Sequence, residues 1–220
     1  MIKCCIFDLD GTLLDTINSI AYFVNKTFQN HGVDTVTADE CKYFAGNGAK
    51  TLVKRALESR KSFDEQSFPA LLSEYKNAYD ANPTYLTEIF PGIAGLLSSL
   101  KERKIKLAVL SNKPDFATKS IVKHFFGDIF DIVQGGIDGI PLKPEPKAAL
   151  DIISGFGILP SETAFVGDTS TDIETGKNMG AKLSVGVRWG FRPESELSGA
   201  GADVIVSRAE EIFTEVLSVD

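Results

Sequence analysis

Two aspartates, Asp8 and Asp10, stand one residue apart at the end of a short apolar run, and Gly11 follows at once. In an extended strand, residues i and i+2 point to the same side. The two carboxylates are therefore expected side by side where the strand stops. Like charges held that close do not both ionise cheaply without a cation or a proton between them. Such a pair serves one of two chemistries. It holds a divalent metal, or it divides nucleophilic and proton-transfer work between its members.

Three further groups of chemically capable residues fall where apolar runs end. Ser111-Asn112-Lys113 offers a hydroxyl, an amide and exposed backbone N–H groups, a combination suited to oxyanions. Lys143 precedes Pro144-Glu145-Pro146, where the prolines stiffen the segment and fix where a flexible ammonium points. Gly167-Asp168, with Asp172 four residues on, places a second acidic pair at a strand-to-helix junction. Asp172 also suits the first turn of a helix, where the dipole favours an acid.

The elements that must position these residues follow from periodicity. Strand-length apolar runs occur at residues 3–7, 107–110, 132–133, 164–166, 183–187 and 204–206. Amphipathic stretches alternate with them at 92–103, 115–126, 146–156, 171–179 and 209–217. Near-continuous apolar strands alternating with helices imply an α/β fold: a doubly wound, Rossmann-like parallel sheet covered on both faces. Ligands of such sheets bind at the carboxyl ends of the strands. Residues 16–85 break the alternation. They show helical spacing only, as in Ile20, Phe23, Val24 and Phe28, or Leu52, Val53, Ala56 and Leu57. The expected organisation is a core of residues 1–15 and 86–220 with an all-helical module of 16–85 inserted after the first strand. Its two connections, near Asp15 and at 82–87, would act as hinges.

Composition narrows the function classes. The chain has 220 residues, 43% hydrophobic and 24% charged, with a formal net charge of −7. That charge argues against nucleic acid or an anionic membrane as partner. It leaves open an anionic substrate at a site whose local field a metal or cation cluster inverts. No run approaches the roughly 18 apolar residues of a membrane span, and the Asp pair within the first ten residues leaves no room for a signal-peptide pattern. Cys4, Cys5 and Cys41 form an odd set without C-x-x-C spacing. They read as small buried hydrophobes in a reducing cytoplasm.

In order, the four pieces read I-F-D-L-D-G-T, L-S-N-K, L-K-P-E-P and F-V-G-D-T-S-T-D. The chain resembles haloacid dehalogenase superfamily phosphohydrolases, whose four motifs are all present in sequence, over residues 2–191 at least. The resemblance implies that Asp8 is the nucleophile that forms an aspartyl-phosphate. Asp10 is then the general acid/base that protonates the leaving oxygen and activates water. It further implies Mg²⁺ held by Asp8, the backbone carbonyl of Asp10 and Asp168, with Asp172 in support, and Ser111, Asn112 and Lys143 on the phosphoryl oxygens. The inserted module resembles the superfamily's mobile cap. Residues 44–57, F-A-G-N-G-A-K-T-L-V-K-R-A-L, and Phe90-Pro91-Gly92 look like phosphoglycolate phosphatases in particular. In that reading Asn47 and Lys50, on the turn between cap helices, are candidate substrate contacts. The implied partner is a small phosphorylated metabolite, handled by a monomer or homodimer.

Neighbouring chemistries can be weighed at single positions. Haloalkanoate dehalogenases lack the second aspartate, present here as Asp10. Sugar phosphomutases of the β-phosphoglucomutase type usually carry a hinge histidine, and residues 17–23 contain none. A phosphonatase needs a Schiff-base lysine in the cap, for which Lys26, Lys50 and Lys54 are available. The G-A-K-T stretch lacks P-loop spacing. Pyrophosphate and nucleoside monophosphates remain alternative substrates. A non-catalytic binding protein on this fold would be expected to have lost Asp8, Asp10, Lys143 or Asp168, and all four are present.

Overall fold

The structure, a computed structural model, describes residues 1–219; Asp220, the last residue of the expected core, lies outside them. Six parallel strands form the central sheet: β1 (Cys4–Phe7), β4 (Lys106–Pro114), β5 (Ile132–Gly136), β6 (Thr163–Gly167), β7 (Leu183–Val187) and β8 (Val204–Val206). Their order is β5-β4-β1-β6-β7-β8. The chain runs from β1 out to one edge, returns past β1 and continues to the other. The loops leaving β1, β4 and β6 consequently meet at the carboxyl edge, where the strand order reverses.

Period-two alternation explains how β1 is buried on both faces. Cys5 and Phe7 join the larger apolar cluster, with residues of α5 (Ile93–Glu102), α6 (Asp115–Phe126) and α10 (Ala209–Ser218). Cys4 and Ile6 join the smaller one, formed with α7 (Lys147–Gly155) and Met179 of α8 (Ser170–Met179). The three cysteines are buried and free. Among the described residues, no helix is long and apolar enough to cross a membrane.

Between β1 and α5 the chain forms α1 (Ile17–Asn30), α2 (Ala38–Phe44), α3 (Gly48–Ser59) and α4 (Phe68–Ala81), which pack on one another as a helical cap. No strand lies among them, as the helical spacing of this region predicts. A pairing the sequence did not suggest joins the two connections. The two-residue strands β2 (Leu14–Asp15) and β3 (Glu88–Ile89) pair antiparallel, Leu14 with Ile89 and Asp15 with Glu88. Two adjustments to the expected bounds bear on the site. β4 runs on through Ser111, Asn112 and Lys113 instead of stopping at Leu110, with a register shift between Leu110 and Pro114. α6 accordingly starts only after Pro114. A short helix, α9 (Glu194–Gly199), completes the fold between β7 and β8.

Candidate active site

Asp8 directly follows β1, and its amide donates to the Val166 carbonyl of β6 at 2.9 Å. This places the Asp8 side chain at the carboxyl edge, beside the loop that follows β6. There the Lys143 ammonium reaches Asp8 Oδ1 at 2.7 Å and Asp172 Oδ1 at 2.7 Å. Lys143 is nearly sealed from solvent, with 3% of its side chain exposed. Its backbone is fixed by Asn112, whose Oδ1 accepts from the Lys143 amide at 2.9 Å and whose Nδ2 donates to the Lys143 carbonyl at 3.1 Å. Asn112 Nδ2 also donates to the Gly46 carbonyl of the cap at 3.0 Å.

Asp168 follows β6 and is fully buried. Its Oδ1 accepts from Thr12 Oγ1 at 3.0 Å and its Oδ2 from the Phe191 amide at 2.7 Å. Asp172 sits at the third position of α8 and closes a capping box: its Oδ2 accepts from the Thr169 amide at 3.1 Å and the Thr169 hydroxyl at 2.8 Å. One oxygen each of Asp8, Asp168 and Asp172 lie within 4.8 Å of one another.

Electrostatics show what this cluster lacks. Burial, and then the charge of Asp172, push the Asp8 carboxyl up to about 7 against the pull of Lys143. Burial also raises Asp168, with Asp172 and Asp8 adding to it. For Lys143, burial works against the ammonium, but Asp172 and Asp8 outweigh it and hold the pKa above the ordinary lysine value. Three buried carboxylates thus face one ammonium. A charge deficit of this kind, offered entirely by hard oxygen ligands, is what a divalent cation relieves. The residues present therefore fit a divalent metal, with Asp8 and Asp168 retaining free lone pairs for it.

Asp10 points elsewhere. Both of its carboxylate oxygens accept from the Lys113 ammonium, at 2.8 and 2.9 Å. Lys113 in turn lies over the ring of Tyr79 on α4, 4.6 Å from its centre. Its amide donates to Ser111 Oγ at 3.2 Å. The pairing of Lys113 with Asp10 is set by the fold alone, because the two residues are 103 positions apart. The spacing signal for Lys113 is only that it ends the Ser-Asn-Lys triplet on a strand whose side chains alternate.

Asp8, Asp10, Ser111, Asn112 and Lys113 line one cavity of about 70 Å³ between sheet edge and cap. The cap contributes Gly46, Gly48, Ala49, Tyr75, Lys76 and Tyr79 among its walls. Neither Asn47 nor Lys50 is part of that wall. The Asn47 side chain accepts from Arg55 at 2.9 Å, and Lys50 is exposed. From beyond β7, Phe191 reaches the cavity, while Trp189 Nε1 donates to the Thr12 carbonyl at 3.0 Å.

Residues 5–185 match the family model described as haloacid dehalogenase-like hydrolase. The chain belongs to that family. Among its relatives, a phosphoglycolate phosphatase of Aquifex aeolicus is 31% identical over 208 residues, covering 94% of this chain and 93% of the relative. Phosphoglycolate phosphatase 1 of Pseudomonas aeruginosa is 34% identical over 212 residues, covering 94% and 77% respectively. Among solved structures, one of a predicted phosphoglycolate phosphatase from Haemophilus somnus superimposes with a TM-score of 0.91 at 25% identity, over 97% of each chain. The chain is thus a hydrolase of phosphate esters.

Proposed function

We propose that the protein hydrolyses small phosphate monoesters, 2-phosphoglycolate foremost, through an aspartyl-phosphate on Asp8 and with Mg²⁺ as cofactor. One observation carries this reading: Asp8 lies in a buried carboxylate cluster screened by Lys143, while Asp10 stands beside it outside that cluster. A nucleophile and a proton-transfer group are thereby held apart in environment although they are two residues apart in sequence. The size of the cavity supports a small substrate. It measures about 70 Å³ between the sheet edge and the cap.

In the first half-reaction an Asp8 carboxylate oxygen bonds to phosphorus as the bond from phosphorus to the ester oxygen breaks. Asp10 delivers a proton to that departing oxygen. In the second, Asp10 takes a proton from water, whose oxygen attacks phosphorus and releases Asp8. Ser111, Asn112 and Lys143 orient the phosphoryl oxygens, and the Lys143 ammonium screens the approach of one anion to another. Asp8, the Asp10 carbonyl and Asp168 would hold Mg²⁺, which when bound would supply further neutralisation of the transferring group, while Asp172 positions Lys143. Residues 16–85 act as a cap over a core of 1–15 and 86–220. They close over the substrate and exclude bulk water, which strengthens the electrostatic interactions of the site. The buried free cysteines suit a reducing cytoplasm.

Mg²⁺-dependent phosphate release across a panel of 2-phosphoglycolate, pyrophosphate, hexose phosphates and nucleoside monophosphates tests the reading. The highest kcat/KM is expected for 2-phosphoglycolate, and Asp8→Asn is expected to abolish turnover. Undiminished release by Asp8→Asn would refute the mechanism. A ranking of 2-phosphoglycolate among the poorest esters would refute the substrate.

A further inference from the structure

One cap residue that lines the active-site cavity has a polar group that the fold leaves unserved. Four buried side-chain oxygens lack a hydrogen-bond partner among the described residues: those of Thr16, Ser19, Tyr79 and Ser184. Of these residues only Tyr79 lines the active-site cavity. A buried phenol ordinarily finds a partner, because leaving its O–H unpaired is costly. The neighbouring polar group, Lys113, is itself a donor and cannot accept the phenol proton. Nor is the ring loosely held. It packs edge-on to Phe23 at 5.2 Å between ring centres, lies against Tyr75 at 6.0 Å, and carries Lys113 over its face.

We propose that Tyr79 is a specificity-determining residue whose hydroxyl donates to a carboxylate on the organic end of the substrate. Position and donor count carry the argument. Asp10 marks where the ester oxygen departs, Lys113 binds Asp10 at 2.8 Å, and the same Lys113 ammonium stands 4.6 Å from the centre of the Tyr79 ring. The phenol therefore meets the part of the substrate beyond the ester oxygen, not the phosphoryl group. At that end the cavity offers the Tyr79 hydroxyl, the Lys113 ammonium and Lys76, one turn earlier on α4. Against these stand two acceptors, Asp10, already engaged by Lys113, and Asp80 at the mouth. A ligand group that only accepts, and accepts more than once, completes the set. A carboxylate does so; a hydroxyl or alkyl group does not.

The inference rests on the phosphatase reading of the same site, and two substrates of nearly equal size separate them. With the Mg²⁺-loaded enzyme, kcat and KM are measured for 2-phosphoglycolate and for ethyl phosphate, which lacks the carboxylate. The comparison is wild type against Tyr79→Phe, a change that keeps the ring beneath Lys113 and its packing. Removing a donor to a charged acceptor is expected to lower kcat/KM for 2-phosphoglycolate by about 10- to 100-fold, chiefly through KM. Ethyl phosphate turnover should stay within about twofold of wild type. Glycolate as a competitive inhibitor should weaken by a similar factor, a readout independent of turnover. Equal losses on both esters, or none on either, would overturn the assignment of Tyr79 while leaving the phosphatase intact. A wild type inactive on both esters would instead sink the substrate reading, and Tyr79→Phe would then be compared on whichever carboxylate-bearing ester of the panel is cleaved.

Discussion

Around Asp168 two glycines leave space that no side chain could share. A Cβ on Gly11 would lie 2.3 Å from Asp168 Oδ2, and one on Gly190 would lie 2.2 Å from Asp168 Cβ. Gly11 is required twice over, since its φ of +86° also belongs to the left-handed region. Gly190 carries the steric demand alone, which makes it the cleaner probe. Gly190→Ala is expected to push Asp168 off the Thr12 hydroxyl and the Phe191 amide. The expected result is at least a tenfold loss in phosphate release and about 1–3 kcal/mol in stability, read by steady-state kinetics and urea melts. Wild-type activity in that variant would show that the close approach is not needed. Asp8, Asp10, Lys143 and Asp168 could be located from sequence because each ends an apolar run or abuts a proline, signals contained within a few residues. Lys113 and Tyr79 could not. Their significance comes from facing Asp10 and each other across the sheet-to-cap gap, and no local pattern encodes that juxtaposition.

At the scale of elements, side-chain hydrogen bonds tie the cap to the core at two places among the described residues, besides the covalent connections. Asn112 donates to the Gly46 carbonyl at 3.0 Å. Arg192, just beyond the Asp168-binding turn, reaches across to the end of α2, donating to the carbonyls of Lys42, Tyr43 and Ala45. These are carbonyls that a helix terminus leaves without intrahelical partners, so the guanidinium caps the helix from another part of the fold. Arg192 also lies over the Tyr43 ring at 5.5 Å and pairs with Glu196 at 3.3 Å. Arg192→Ala is expected to favour the open cap. KM should rise roughly 3- to 10-fold, a loss of about 1 kcal/mol of closure, with faster amide exchange over residues 41–46. Unchanged exchange there would mean that closure depends on other contacts. The long elements were legible because ten or more residues of steady periodicity outweigh local noise. The strands β2 and β3, two residues each, were not, since a two-residue strand has no period and exists only through its partner. Likewise, nothing in 107–110 said that β4 would continue through Ser111 to Pro114, because polar residues there owe their extended backbone to pairing with β5 and to the site.

For the molecule as a whole, the carboxylate cluster couples stability to pH and to metal. Burial and Asp172 raise the Asp8 carboxyl to about 7, and burial with the same neighbours raises Asp168. A carboxyl whose pKa is higher in the folded state binds protons more readily there than in the unfolded chain. Without metal, stability contributed by the protonated form is therefore complete below the ordinary carboxylate value near 3.8 and is lost as pH rises through about 7. A divalent cation acts in the opposite sense, because its ligands must be deprotonated to bind it. The expected thermal melts follow. Under chelation the protein should melt lower at pH 8 than at pH 5.5. Excess Mg²⁺ should add little at pH 5.5, whereas at pH 8 a hundredfold excess over Kd gives about 2.7 kcal/mol. For a chain of this length that is an increase of about 5–10 °C. Asp168→Asn removes one of the mutually repelling carboxylates and a proposed metal ligand together, so it should melt higher than wild type under chelation and fail to respond to Mg²⁺. A Mg²⁺ shift of the same size at both pH values, or one retained in Asp168→Asn, would place the cation away from this cluster. The deficit of one ammonium against three carboxylates is a property of the assembled fold: the four residues lie up to 164 positions apart in sequence, and only the convergence of β1, β6 and the Lys143 loop brings them into a single cluster.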